Sequence, residues 1–113
     1  MKYMMLVYSD EKCWTDGERE HCIAESTKLT HELHKQGKYL GCSPLQPVAA
    51  ATSVRVRDGK RQVTDGPFAE TREQLGGYYL VEAKDIDDAV ALAARIPEAK
   101  RGSIEVRPVM IYK

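Results

Sequence analysis

KYMMLVY, residues 2–8, is the stretch on which the fold turns. Successive side chains of a strand point to opposite faces, so Tyr3, Met5 and Val7 share one face and Met4, Leu6 and Tyr8 the other. Both faces are apolar. Such a strand belongs in the middle of a sheet that is covered on both sides. Residues 78–83, YYLVEA, have the same character: Tyr78 and Leu80 oppose Tyr79, Val81 and Ala83. The sequence therefore predicts two central strands, far apart along the chain.

The rest of the chain arranges itself around these two. Ser9 to Gly17 is polar and turn-rich apart from Cys13 and Trp14. Glu18 to Gln36 reads as a helix closed by Gly37, with Cys22, Ser26, Leu29 and Leu33 on one face and Ile23 beside them. Lys38 to Ala51 reads as irregular around Gly41, Pro44 and Pro47, anchored by Leu40 and Leu45. Thr52 to Arg57 alternates, with Val54 and Val56 opposite Ser53, Arg55 and Arg57. Asp58-Gly59 is a two-residue hairpin signal, and Lys60 to Thr64 is the returning arm. Beyond the second central strand, Asp85 is a good N-cap, with Asp88 in the first turn. Ile86, Ala89, Val90, Ala93 and Ile96 form a helical stripe, and Pro97 stops it. Ser103 to Tyr112 reads as a final strand, with Pro108 marking an edge or a bulge.

With the hairpin as an insertion, this order reduces to βαββαβ, an α+β ferredoxin-like subunit. That topology places the two doubly apolar strands in the centre. Two helices cover only one face of the sheet, so a second copy of the chain is expected on the other, making a homodimer.

Composition bounds the rest. A chain of 113 residues is expected to form one domain over 1–113. Hydrophobic residues at 42% and charged residues at 30% fit a globular protein rather than a disordered one. With 17 Lys+Arg against 17 Asp+Glu, there is no one-signed field to select nucleic acid or an anionic membrane. The N-terminal apolar run is too short for a secretory signal, and no run approaches the ~20 residues that span a bilayer. Cys13, Cys22 and Cys42 are odd in number and irregularly spaced, which points to free thiols in a reducing cytoplasm.

The most distinctive stretch is VTDGPFAETREQLGGYY, residues 63–79. It resembles the DGPF-domain family, a branch of the YCII-related proteins, through Asp65, Gly66, Pro67, Phe68, Glu70, Thr71, Glu73, Leu75, Gly76, Gly77 and Tyr78. The opening KYMMLVY, the Trp14 loop, Leu45-Gln46-Pro47, Ser53 to Lys60 and Ile104 to Val109 extend the resemblance over nearly the whole chain. One departure is Arg72, where family members often carry Lys; charge is kept but geometry is not. The resemblance implies a dimeric α/β barrel of ferredoxin-like subunits. It implies no single reaction: most such proteins have no assigned activity, related YCII proteins carry a His–Asp pair in a cleft, and some are encoded beside extracytoplasmic-function sigma factors.

The residues of the motif carry two readings. Asp65-Gly66-Pro67-Phe68 is either a turn, with Gly66 at positive φ and Phe68 plugging the core edge, or the mouth of an inter-subunit cleft with Asp65 as general base. Glu70 and Glu73 are either a solvated pair or acids facing that cleft, sharing a side if the segment is helical, with Arg72 binding an anionic group. Trp14 is either a lid over the core or a surface for stacking a ligand, and Tyr79 is the second aromatic candidate for ligand contact. His31 and His34 lack the spacing and companions of a metal site, and Gly76-Gly77 lacks those of a phosphate loop, so neither metal nor cofactor is expected. Two function classes follow. One is a small-molecule binder or cofactor-free acid–base enzyme centred on Asp65. The other is a non-catalytic regulatory or protein-interaction module.

Overall fold

The structure, a computed structural model, describes residues 1–111. Its elements are β1 (Lys2–Ser9), α1 (Asp16–Lys35), β2 (Tyr39–Pro44), β3 (Thr52–Arg57), β4 (Lys60–Asp65), β5 (Gln74–Glu82), α2 (Ile86–Ala93) and β6 (Ser103–Pro108). Short 3₁₀ turns lie at Glu11–Cys13, Val48–Ala50 and Pro97–Lys100. Four strands make an antiparallel sheet in the order β2-β5-β1-β6, while β3 and β4 pair only with each other as a two-stranded ribbon. Without the ribbon this is the ferredoxin-like α+β arrangement, with β1 and β5 central.

The core lies on one face of the sheet. Tyr3, Met5 and Val7 of β1 and Tyr79, Val81 and Ala83 of β5 are buried against Leu29 and Leu33 of α1, Ala89, Leu92 and Ala93 of α2, and Ile96. On the opposite face, Leu6 sits between Tyr78 and Glu105, and Met4 between Leu80 and Arg107. No helix covers that face, and Met4, Leu6, Tyr8, Tyr78 and Leu80 are only half-buried there. Arg107 pairs with Glu105 at 3.0 Å along the outer strand, so an apolar centre has a polar margin.

Helix α1 begins two residues earlier than the apolar stripe indicates, because Thr15 and Glu18 form a capping box. The Glu18 amide donates to Thr15 Oγ1 at 3.2 Å, and the Thr15 amide donates to Glu18 Oε1 at 3.4 Å. Gly37 closes the helix at φ 71°, as expected. In α2 the Asp88 amide donates to Asp85 Oδ1 at 2.9 Å.

Several expectations are corrected. The segment after Gly37 is not irregular: Tyr39–Pro44 is an edge strand whose register slips between Tyr39 and Gly41. A slip of that kind hides the alternation that would reveal a strand. Helix α2 stops at Ala93, and Pro97 opens the next 3₁₀ turn rather than ending a longer helix. Its buried side is Ala89, Leu92 and Ala93, while Ile86 and Val90 are exposed. The last strand ends at Pro108. Tyr112, its expected terminus, lies outside the described residues.

The ribbon makes the molecule broad and thin. Its extents are 47 × 45 × 19 Å and its radius of gyration is 15.9 Å, against roughly 13 Å for a compact chain of this length. Asp58 (φ 53°) and Gly59 (φ 73°) supply the tight turn at its tip. Val54, Val56 and Val63 share one side of it and stay exposed (60%, 61% and 57%).

Candidate functional site

The motif segment leaves β4 at Asp65 and enters β5 at Gln74 without helical structure, so the shared helical face considered for Glu70 and Glu73 does not form. Its first turn is fastened to the base of the ribbon. The Gly66 amide donates to Ala51 O at 2.7 Å, and Ser53 Oγ donates to Gly66 O at 2.7 Å. Gly66 has φ 99°, a conformation that L side chains rarely adopt. Gly66→Ala should therefore cost about 1 kcal/mol or more, read as a lower urea midpoint. An unchanged midpoint would remove the conformational requirement.

Phe68 does not plug the core edge: it is 79% exposed. With Pro67 and Ala69 it forms one wall of a cavity of about 540 Å³, whose other walls include Tyr8, Leu45, Pro47 and Leu75. Tyr8 belongs to the sheet face that no helix covers, so the cavity adjoins that face. Its walls are chiefly apolar, with Gln46, Ser53, Thr71 and Gln74 as polar residues.

The charged candidates stand apart from these walls. Asp65, Glu70 and Arg72 are exposed, and the Asp65 carboxylate has no hydrogen-bond or ion-pair partner among the described residues. The turn is held instead by the Ser53 hydroxyl, which donates to Gly66 O, a bond the acceptor-only Asp65 carboxylate does not make. Glu73 is tied back to the sheet, accepting from Ser103 Oγ at 2.8 Å. The structure thus gathers Asp65, Glu70, Arg72 and Glu73 onto one loop without converging them on one point.

Tyr79 and Trp14 lie elsewhere, on the helix side of the sheet. The Tyr79 hydroxyl hydrogen-bonds Ser26 of α1. One helical turn earlier on the same side, Cys22 Sγ donates to Glu98 Oε1 at 3.2 Å. Trp14 roofs this region: its Nε1 donates to Ser9 Oγ at 3.5 Å, and the Arg101 guanidinium lies 5.2 Å above its ring. Arg101 also pairs with Glu18 and donates to Cys13 O at 3.0 Å, which ties the loop to the last 3₁₀ turn.

Burial, with Glu98 beside it, pushes the Cys22 thiol up to about 12. Burial likewise pushes the Tyr79 hydroxyl up to about 12, against the opposing effect of its bond to Ser26. Both groups hold their protons more tightly folded than unfolded. Their contribution to stability is complete below the unfolded values, about 9 for Cys and 10 for Tyr, and fades as pH rises toward 12. The urea midpoint of wild type should fall over that interval, and Cys22→Ser should remove the part that begins near pH 9. Parallel curves for the two proteins would contradict this.

Sequence reasoning placed Cys22, a free thiol, and Ser26 on one moderately apolar helix face, and gave no sign of Glu98. Its neighbours Pro97 and Ala99 mark a turn, not a site. His31 and His34 are exposed, His34 lying edge-on to Tyr39 with ring centroids 6.3 Å apart. Among the described residues no group of three or more His, Cys, Asp or Glu side chains is placed to hold a metal ion, and no helix is long and apolar enough to cross a membrane.

This ferredoxin-like sheet, with its motif loop and inserted ribbon, has known counterparts. Residues 1–113 match the YCII-related domain, and the chain belongs to that family. An uncharacterized protein of Rhizobium meliloti (strain 1021) is 36% identical over 118 residues, covering 100% of this chain and 95% of that protein. Among solved structures, the 5-chloro-2-hydroxyhydroquinone dehydrochlorinase of Burkholderia phenoliruptrix AC1100, in complex with 2,5-dihydroxybenzoquinone, superposes with a TM-score of 0.61. It covers 97% of this chain and 94% of that one at 12% identity, a likeness of fold.

Proposed function

We propose that this YCII-related protein is a single-domain homodimer that binds a compact, mainly apolar small molecule in the cavity beside Phe68, with the partner subunit closing the site. The observation that carries this reading is the 540 Å³ cavity at the margin of an apolar sheet face that the chain leaves uncovered. Cavities of this size with a few polar groups are typical of ligand sites. That a protein of the same fold is a dehydrochlorinase crystallised with a small quinone supports a small-molecule role. Any chemistry at the site would use acid–base groups of the motif loop, with Asp65 as the leading base and Arg72 as the anchor for an anionic substituent. The exposed Asp65 gains that role only where a partner desolvates it.

The test is a ligand-observed NMR screen of small aromatic and aliphatic fragments. Binders to the wild type should be lost in Ala51→Trp, which fills the cavity, while the thermal midpoint changes little. Asp65→Asn should keep the fold within about 1 kcal/mol and keep binding, and it should remove turnover of any substrate found. Binders that survive Ala51→Trp, or none at all, would overturn the reading.

A second reading has an observation of its own. The exposed Val54, Val56, Val63 and Phe68 fit a non-catalytic module that docks a protein partner. In that case the screen stays empty and substitutions on the ribbon, not in the cavity, change function.

A further inference from the structure

A smaller cavity of about 250 Å³ adjoins the one beside Phe68, at the base of the ribbon. Its walls are Ser53, Arg55, Gln62, Thr64, Pro67 and Phe68. Three of these, Ser53, Pro67 and Phe68, also wall the larger cavity, so the two meet around the Phe68 ring. The larger one is chiefly apolar, whereas most residues of the smaller one are polar.

Strand register explains that difference. Directly paired residues of an antiparallel ribbon share a face, and each face recurs at every second residue. Ser53 pairs with Thr64, Arg55 with Gln62 and Arg57 with Lys60, which makes one polar face. Val54, Val56 and Val63 belong to the other, and Asp65, paired with Thr52, lies on that valine side. The polar face therefore carries the cations Arg55, Arg57 and Lys60 and no carboxylate. Its donors are largely unspent. The Ser53 hydroxyl donates to Gly66 O, and the Arg57 guanidinium donates to Val56 O at 3.0 Å. The side chains of Arg55, Gln62 and Thr64 have no hydrogen-bond or ion-pair partner among the described residues. A guanidinium, a carboxamide and a hydroxyl thus offer N–H and O–H groups to one small cavity.

An apolar cavity joined to a donor-lined one suits a molecule with an apolar body and an anionic end. We propose that the molecule held beside Phe68 is a compact carboxylic acid, whose hydrocarbon part fills the larger cavity and whose carboxylate reaches past the Phe68 ring to Arg55, with Gln62 and Thr64 donating beside it. This rests on the reading that a small molecule occupies the Phe68 cavity. It adds the acid end and its place on the ribbon, apart from Arg72, which lines neither cavity. A guanidinium receives a carboxylate through two parallel N–H···O bonds, and one such group flanked by neutral donors matches a single negative charge. An ammonium is repelled by the cations of this face, and an uncharged amide leaves the guanidinium uncompensated.

The experiment is a titration of the uniformly ¹⁵N-labelled protein with two probes of one shape, hydrocinnamate and its neutral amide, hydrocinnamamide. Hydrocinnamate should shift the amides of Ser53, Arg55, Gln62 and Phe68 and bind about tenfold more tightly than the amide probe. Arg55→Gln should bring hydrocinnamate down to the affinity of the amide probe and leave the latter unchanged, since Arg55 is exposed and holds no other side chain in place. Arg57→Gln, one pair further out on the same face, should change either affinity by no more than about twofold. Equal affinities for the two probes, or an acid preference that survives Arg55→Gln, would overturn the proposal while leaving the cavity itself in place. So would a preference lost in Arg72→Gln instead, or lost equally in Arg57→Gln, the mark of diffuse attraction to a basic ribbon. Failure of both probes to bind, or binding that survives Ala51→Trp, would remove the cavity reading and the acid site with it.

Discussion

Gly102→Ala is expected to destabilise the protein by about 3 kcal/mol or more, a loss on the order of 10 °C in thermal midpoint for a chain of this size. A Cβ at this position would lie 2.0 Å from the carbonyl oxygen of Tyr8 and 3.0 Å from both Tyr8 C and Ser9 Cβ. The first of these atoms is backbone of the central strand β1, and it has nowhere to go. Strand β1 is hydrogen-bonded on one side to β5 and on the other to β6, where Tyr8 pairs with Ser103. Gly102 is equally confined, its amide donating to Glu98 O at 2.8 Å. The close approach binds the last 3₁₀ turn to the end of β1, and that turn carries Glu98 and leads into the Arg101 that covers Trp14. Gly17→Ala is the control, since a Cβ there meets nothing within 4 Å. Chemical denaturation of the two variants decides the matter. A Gly102→Ala midpoint within about 1 kcal/mol of wild type would mean that the two backbone segments do not approach this closely.

What was legible in the sequence was whatever a short run of residues decides alone. Apolar residues on both faces of Lys2–Tyr8 and Tyr78–Ala83 located the central strands, because only a central strand can bury both faces of a pleat. Asp58-Gly59 and Gly66 announced turns, because few residues accept positive φ without cost. Strand β2 stayed hidden because its alternation is broken by the slip at Tyr39–Gly41, and its Gly and Pro residues resemble loop. The α2 stripe misleads at its ends: Ile86 and Val90 fit a helical period, but small Ala89 and Ala93 face the sheet, where a close approach leaves room for little else. Phe68 followed composition, being the chain's only Phe and so assigned inward, whereas its position depends on where Ala51 and Ser53 hold the turn. The pairing of Cys22 with Glu98 bridges 76 residues of chain, and no local pattern encodes it. The motif was conspicuous enough to draw the acid–base assignments to its carboxylates, yet Asp65 and Glu70 are exposed, while the half-buried Cys22–Glu98 pair lies on the other side of the sheet.

Replacing Leu6 by Asp should convert a dimer into a monomer, the largest change in assembly that a single substitution is expected to produce here. Leu6 lies at the centre of the uncovered face, flanked by Tyr78 and Glu105 in register and by Met4 and Tyr8 along its own strand. In the monomer this position is only half-buried, so an aspartate there costs the isolated fold less than it costs the dimer, and far-ultraviolet circular dichroism should be unchanged. In a dimer joined through this face, the carboxylate would be buried among apolar side chains without a partner, and charges in that position are expensive. A penalty of about 4 kcal/mol raises the dissociation constant roughly a thousandfold. Sedimentation equilibrium should then find two chains for wild type and one for Leu6→Asp at micromolar concentration. A wild type that sediments as a stable monomer would refute the dimer and leave the Phe68 cavity open to solvent. The same variant also tests the ligand site. The cavity beside Phe68 adjoins the face that Leu6→Asp exposes, so fragments bound there should be lost with the dimer.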